Sequence, residues 1–399
     1  MRPGHGGETH VHRIASRALL AVSSRCRADS ISGSAYLDRS EYVDRSTDTV
    51  RDSAKGSEDA GIMRAFVISG PRCAEVCEVA NPVPGPGEVV VDVERAGLCG
   101  TDVEFFTGQM SYLHTGQAQY PIRIGHEWVG IVARAGDDVD PSWVGRRVTA
   151  DTMLGCGRCS RCIRGRQHLC ADRYEIGIRN GWPGALAEQV RAPVTALHVM
   201  PEQVGPTLGA LVEPGGNALR AVRAAGLSDG ERLLVIGPGT IGLLAAQIAR
   251  TRGIDVHLLG RTDESIAFAN ALGFVQVWRQ EQLPSLRFDA VIDASNGEAM
   301  PSFAVDIVEP GGRIVYIGLS GEPSLVDSRT IALKDLTVTG ILSASGGLSG
   351  VIELFADGTV DPRPLVAATI SLDDVAAALS GQRKPEWGNA PKIHVNPRR

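Results

Sequence analysis

Residues 232–242 read RLLVIGPGTIG, an apolar run that breaks into glycines spaced Gly-x-Gly-x-x-Gly and continues as LLAAQIARTRG. The run has strand character and the stretch after it is an amphipathic helix, so Gly237, Gly239, Thr240, Ile241 and Gly242 fall in a strand-to-helix turn. Glycines there permit a tight turn and bring backbone N–H groups against a pyrophosphate, and the helix N-terminus adds partial positive charge. A purely structural glycine turn is the alternative; the strand before and the helix after favour a dinucleotide. Further on, FDAVIDAS, FAVDIVEPGG and RIVYIG continue the alternation of strand and helix. This half of the chain is therefore expected to be α/β, a doubly wound parallel sheet.

The end of the second strand discriminates between nicotinamide cofactors, because an acid there holds a ribose 2′-hydroxyl whereas an arginine accommodates a 2′-phosphate. The strand runs DVHLLGRTDES and places Gly260, then Arg261, at that point. No carboxylate repels a phosphate, and a guanidinium can take one in a forked contact. NADP is favoured, and NAD stays open because Asp263 would reverse the preference if it turned inward.

Residues 155–170, GCGRCSRCIRGRQHLC, hold four of the chain's eight cysteines. Cys156, Cys159, Cys162 and Cys170 are spaced Cys-x2-Cys-x2-Cys-x7-Cys, and x2 links let thiolates converge on one ion. Zinc is the expected ligand and a disulfide pair the alternative. Four thiolates close a tetrahedral site, so this one is scaffolding and the chemistry lies elsewhere. Its arginines also admit a zinc-ribbon nucleic-acid module, but a formal net charge of -6 argues against nucleic acid as a partner. No apolar run is long enough to span a bilayer, and thiols used as ligands imply a reducing compartment, most simply the cytoplasm.

Residues 1–62 are polar, with interleaved acids and bases and no sustained apolar period, and are expected to be poorly ordered. Their Arg-rich early part is compatible with a targeting segment; a start assigned too early is favoured, because Met63 opens what reads as a first strand, MRAFVI. From there to the glycine turn the chain is a succession of short strands with Gly and Pro punctuation, as in NPVPGPGE and VVVDVERAG.

The ordered motifs CGTD (from Cys99), GHE (ending at Glu127), the cysteine knuckle and GPGTIG resemble the zinc-dependent medium-chain alcohol and polyol dehydrogenases, from about Met63 to the C-terminus. The resemblance implies a GroES-like, β-rich catalytic domain, residues 63–217 and 345–399, with a Rossmann domain, residues 218–344, inserted between. It implies two zinc ions per chain: one in the knuckle, and a catalytic one held by Cys99, His126 and Glu213, as in the sorbitol dehydrogenase branch. Glu127 either joins that zinc or leaves the fourth position to water, and Asp102 is suited to orient His126. Three protein ligands leave a position where a substrate hydroxyl can bind and lose its proton. Thr101 is placed to pass the proton outward; many relatives have a histidine three residues later, where this chain has Glu104, either a proton acceptor or turned elsewhere.

Phe105, Phe106, Tyr112 and His114 are candidates for the substrate pocket, with core packing as their alternative. The expected activity is hydride transfer between a secondary alcohol, polyol or sugar hydroxyl and the cofactor. A zinc-independent NADPH reductase of the same superfamily and a non-catalytic cofactor-binding sensor are the competing readings. By analogy the protein is a homodimer or homotetramer.

Overall fold

The computed structural model describes residues 61–399. The expectation for residues 1–62 lies, but for its last two residues, outside them. The first strand is Ile62–Gly70, starting one residue ahead of Met63.

Two sheets carry the architecture. The six-stranded sheet has the order Val277–Trp278, Asp255–Leu259, Arg232–Ile236, Phe288–Asp293, Val308–Tyr316, Thr337–Gly340, with all neighbours parallel. The strand nearest the N-terminus lies inside the sheet, so strand order reverses beside it, and ligands bind at such a reversal, beyond the carboxyl ends. Alternate residues of Arg232–Ile236 point to opposite faces, and both faces are apolar. Leu233 and Val235 pack with Leu243, Leu244 and Ala246 of the helix Thr240–Arg250, whereas Leu234 and Ile236 pack with Phe288, Ala304 and Val305. That is why RLLVI is a continuous apolar run: a sheet covered on both sides needs no polar alternation. The stretch FAVDIVEPGG splits between the end of the helix Met300–Ile307 and the start of the strand Val308–Tyr316.

The other sheet has seven strands. Its path runs Val366–Ile370, Lys392–Val395, Glu88–Gly97, Glu127–Ala135, Arg147–Ala150, Leu197–Val199, and Gln189–Pro193 also pairs with Glu88–Gly97. The end of the chain thus returns to the first half, with His394 opposite Gly97 and Val395 opposite Ala96. Val89, Val91 and Val93 share a core with Phe66, Phe105 and Trp128, each large side chain contributing about 1.5–3 kcal/mol by leaving water. This pairing sets Lys392 beside the strand that begins at Glu127. Among the described residues no helix is long and apolar enough to cross a membrane.

Candidate active site and cofactor cleft

The helix Gly100–Thr107 starts at Cys99, whose extended backbone places its thiol at the helix N-terminus. Asp102 is fully buried and its Oδ2 accepts from the Cys99 backbone N–H at 2.9 Å. Its Oδ1 stands 3.7 Å from His126 Nδ1, just beyond hydrogen-bond length, and neither atom has another partner. His126 ends the loop before the strand Glu127–Ala135, and its carbonyl accepts from Thr152 Oγ1. Ligand atoms of Cys99, His126 and Glu127 all lie within 4.8 Å of one another. Burial disfavours charge on His126, but Asp102 and the Cys99 thiol outweigh it and raise its pKa well above the ordinary value.

Glu213 sits in the first turn of the helix Val212–Ala225, where Asn217 Nδ2 donates to its Oε1 at 2.8 Å. It stands outside the group of three yet feels the charges of His126, Glu127 and Lys392. Burial, with Glu127 adding to it, pushes its carboxyl up to about 7 against the pull of His126. Such a carboxyl is short of a cation, which is what a metal position asks of its donors. Thr101 and Glu104 are both half-buried on the helix Gly100–Thr107, and burial raises the Glu104 carboxyl above its ordinary range.

The knuckle sulfurs meet as a second cluster, again within 4.8 Å. Sγ of Cys159 is 3.5 Å from Cys162 and 3.8 Å from Cys170. A disulfide needs about 2 Å, whereas the edge of a zinc–thiolate tetrahedron is about 3.8 Å for a bond of roughly 2.3 Å. Backbone N–H groups of Arg158 and Cys159 hold the Cys156 thiol down to about 6, while burial sends Cys162 up to about 12. A cation is what allows all four to be thiolates together.

At the carboxyl ends of the parallel strands a cavity of about 720 Å³ is lined by Gly237, Pro238, Gly239, Gly260, Arg261, Arg279 and Ser295, among others. That is within the roughly 300–1,000 Å³ of ligand sites. Gly239 caps the helix Thr240–Arg250, and a side chain on Gly242 would collide with the Gly237 carbonyl. Thr240 and Ile241 form the first turn of that helix.

The comparisons with known proteins agree with this geometry. The alcohol dehydrogenase GroES-like domain matches residues 85–202 and the zinc-binding dehydrogenase domain residues 240–357. The L-threonine 3-dehydrogenase of Saccharopolyspora erythraea is 33% identical over 291 residues, 70% of this chain and 83% of the relative. The chain belongs to the zinc-binding alcohol dehydrogenases. It is an oxidoreductase, and solved dehydrogenases share its fold. A zinc-binding dehydrogenase of Sinorhizobium meliloti bound to NADP superposes with a TM-score of 0.76 at 28% identity, covering 84% of this chain and 100% of that one. An alcohol dehydrogenase of Escherichia coli complexed with NADH gives 0.77 at 26%, covering 84% and 99%.

Two residues beside the candidate site had no signal in the sequence. Lys392, 4% exposed, donates to both oxygens of Glu127 at 2.8 and 2.7 Å and to the Leu98 carbonyl at 2.8 Å. The residue before it, Pro391, lines the cofactor cavity, so one strand end touches both parts of the site. Arg279 stands beside Arg261, donating to its carbonyl at 2.9 Å, and its other nitrogen meets Asp263 at 2.5 Å. The pocket candidates divide. Phe105 and Phe106 are core residues, Tyr112 hydrogen-bonds Glu175 and Arg173, and His114 contacts the Gly108 carbonyl.

Proposed function

We propose that this dehydrogenase passes hydride between a secondary alcohol, polyol or sugar hydroxyl and NADP, with Cys99, His126 and Glu213 holding the catalytic zinc. The observation that carries the reading is the meeting of the half-buried Cys99 thiol and the buried His126 imidazole, within reach of the Glu213 charge and one strand end from the cofactor cavity. A zinc ion there supplies Lewis acidity that lowers the pKa of a substrate hydroxyl. Lys392 engages both oxygens of Glu127 and so favours keeping that carboxylate off the metal, which leaves room for substrate. Thr101 passes the hydroxyl proton outward, and Glu104, whose raised pKa brings it nearer neutrality, is its acceptor.

In the cofactor cavity the glycine turn and the N-terminus of Thr240–Arg250 receive the pyrophosphate. Arg261 and Arg279 both line this cavity, where the adenosine ribose would lie, and Asp263 is paired with Arg279. This pair favours a 2′-phosphate; of the two solved relatives, one holds NADP and the other NADH. We take residues 63–217 and 345–399 as the catalytic half and 218–344 as the cofactor half. We place the enzyme in the cytoplasm as a homodimer or homotetramer.

The test is zinc content and turnover together. Protein purified without chelator should hold two zinc ions per chain, and a panel of 1,2-diols, sugar alcohols and β-hydroxy amino acids should include one that reduces NADP. The amino acids enter because the Saccharopolyspora relative is a threonine dehydrogenase. One zinc per chain with carbonyl reduction intact would support the zinc-independent reductase, and no turnover with any carbonyl or alcohol the sensor.

A further inference from the structure

The carboxylate of Asp151 is 4% exposed and joins parts of the chain that are far apart in sequence. Oδ1 accepts from the Met153 backbone N–H at 2.9 Å and from Ser345 Oγ at 2.8 Å; Oδ2 accepts from Gln167 Nε2 at 2.8 Å. Gln167 lies between Cys162 and Cys170 of the knuckle. Thr152, the next residue, donates to the carbonyl of His126. Ser345 follows the last strand of the parallel sheet, Thr337–Gly340, and is itself 2% exposed.

The segment that carries Ser345 is held from several sides. Ser343 has φ 67, a left-handed conformation that a non-glycine residue keeps only where its surroundings enforce it. Its hydroxyl donates to Ser345 Oγ at 3.0 Å, and Arg220 donates to the carbonyls of Leu342 and Ser343. Arg220 belongs to the helix Val212–Ala225, whose first turn holds Glu213. A side chain on Gly347 would run into the backbone of Gly216, one turn from Glu213. Residues 342–347 are thus wedged between the helix that bears a proposed zinc ligand and the carboxylate that the knuckle holds.

We propose that Asp151 is a positioning residue that couples the cysteine knuckle to residues 342–347 and so sets how the cofactor half is seated against the catalytic cluster. Three hydrogen bonds stabilise the buried carboxylate, and each donor lost leaves it less satisfied. The knuckle donor and the Ser345 donor act on the two oxygens of one rigid carboxylate, so displacing one tilts the other. The closed zinc site then has a role beyond holding its own loop: it fixes the orientation of Gln167, hence of Asp151, hence of Ser345. The proposal rests on the reading that this chain binds a nicotinamide dinucleotide.

The test uses the full zinc-loaded chain and needs no substrate. NADPH and NADH are titrated by their fluorescence into wild type, D151N, S345A, Q167A and D151N/S345A, with zinc per chain and amide hydrogen exchange of residues 342–347 measured on each. Wild-type binding tests the cofactor reading by itself. S345A, D151N and Q167A are each expected to weaken the tighter nucleotide about 3- to 30-fold, with zinc unchanged and exchange of 342–347 faster. The double variant should be no weaker than D151N alone within about twofold, because both remove the same contact. S345A within twofold of wild type overturns the proposal, as does Q167A with normal affinity and normal exchange. A D151N chain that does not fold leaves S345A and Q167A to decide.

Discussion

Lys392 and Glu127 are 265 residues apart in sequence, and the ammonium of one lies 2.7 and 2.8 Å from the two carboxylate oxygens of the other, both side chains more than nine-tenths buried. The pair stands against the candidate metal ligands Cys99 and His126. A buried charge stripped of its partner is costly, on the order of 3–5 kcal/mol, whereas removing both charges together is far cheaper.

The consequence can be measured on metal-depleted protein. K392M should unfold at distinctly lower temperature or denaturant concentration than wild type, and K392M/E127L should recover most of that loss. A K392M chain as stable as wild type would mean that the pair is not the counterion arrangement seen here.

The arginine pair at the cofactor cavity predicts a selective effect. R261A and R279A should each weaken NADP about 10- to 100-fold, the effect of losing a hydrogen bond to a charged group, and leave NAD within about twofold. D263N, which frees Arg279 from its 2.5 Å contact, should tighten NADP and not NAD. Dissociation constants for both nucleotides decide it. Equal losses for NAD and NADP in R279A would reduce that residue to a support for the Arg261 backbone.

The two proposed metal sites predict separable zinc counts. C99S and E213A should each lower zinc from two to one per chain and abolish turnover, with the fold intact by circular dichroism. C159S should lose the other zinc and destabilise the chain, because a structural zinc contributes folding free energy directly. Two zinc ions retained in C99S would sink the assignment of the catalytic cluster.

What the sequence made legible follows the range of the interactions. The glycine turn at 237–242 and the knuckle at 156–170 are local: steric demands and ligand spacing are written in consecutive residues. Lys392 and Arg279 gave no such signal. Their partners lie 265 and 18 residues away and are set by which strands neighbour one another within a sheet, which has no period in the chain. Phe105 and Phe106 show the converse. They adjoin the Cys99 loop in sequence, but the helix Gly100–Thr107 turns that side to the core, where both are buried. Glu213 was named through resemblance, and its chemistry became visible only once burial and the neighbouring Glu127 were seen to raise its pKa.

His394 predicts how stability depends on pH. The side chain is fully buried in the strand Lys392–Val395, neither ring nitrogen has a hydrogen-bond partner, and Lys392 and Arg95 are the charges that reach it. Burial first, then those two cations, push its pKa down from the ordinary 6.5 to about 3. A histidine depressed in the folded state is protonated first in the unfolded one, so its effect on stability is absent above about pH 6.5. The folded state loses ground as pH falls from 6.5 toward 3, by about 1.4 kcal/mol per unit for a single proton. Between pH 7.5 and pH 5 this group alone should cost the folded protein about 2 kcal/mol. Urea unfolding at the two pH values should show that loss in wild type and a correspondingly smaller one in H394L, which has no proton to take up. An H394L chain as acid-sensitive as wild type would assign the loss to other groups and leave His394 as a neutral packing residue throughout.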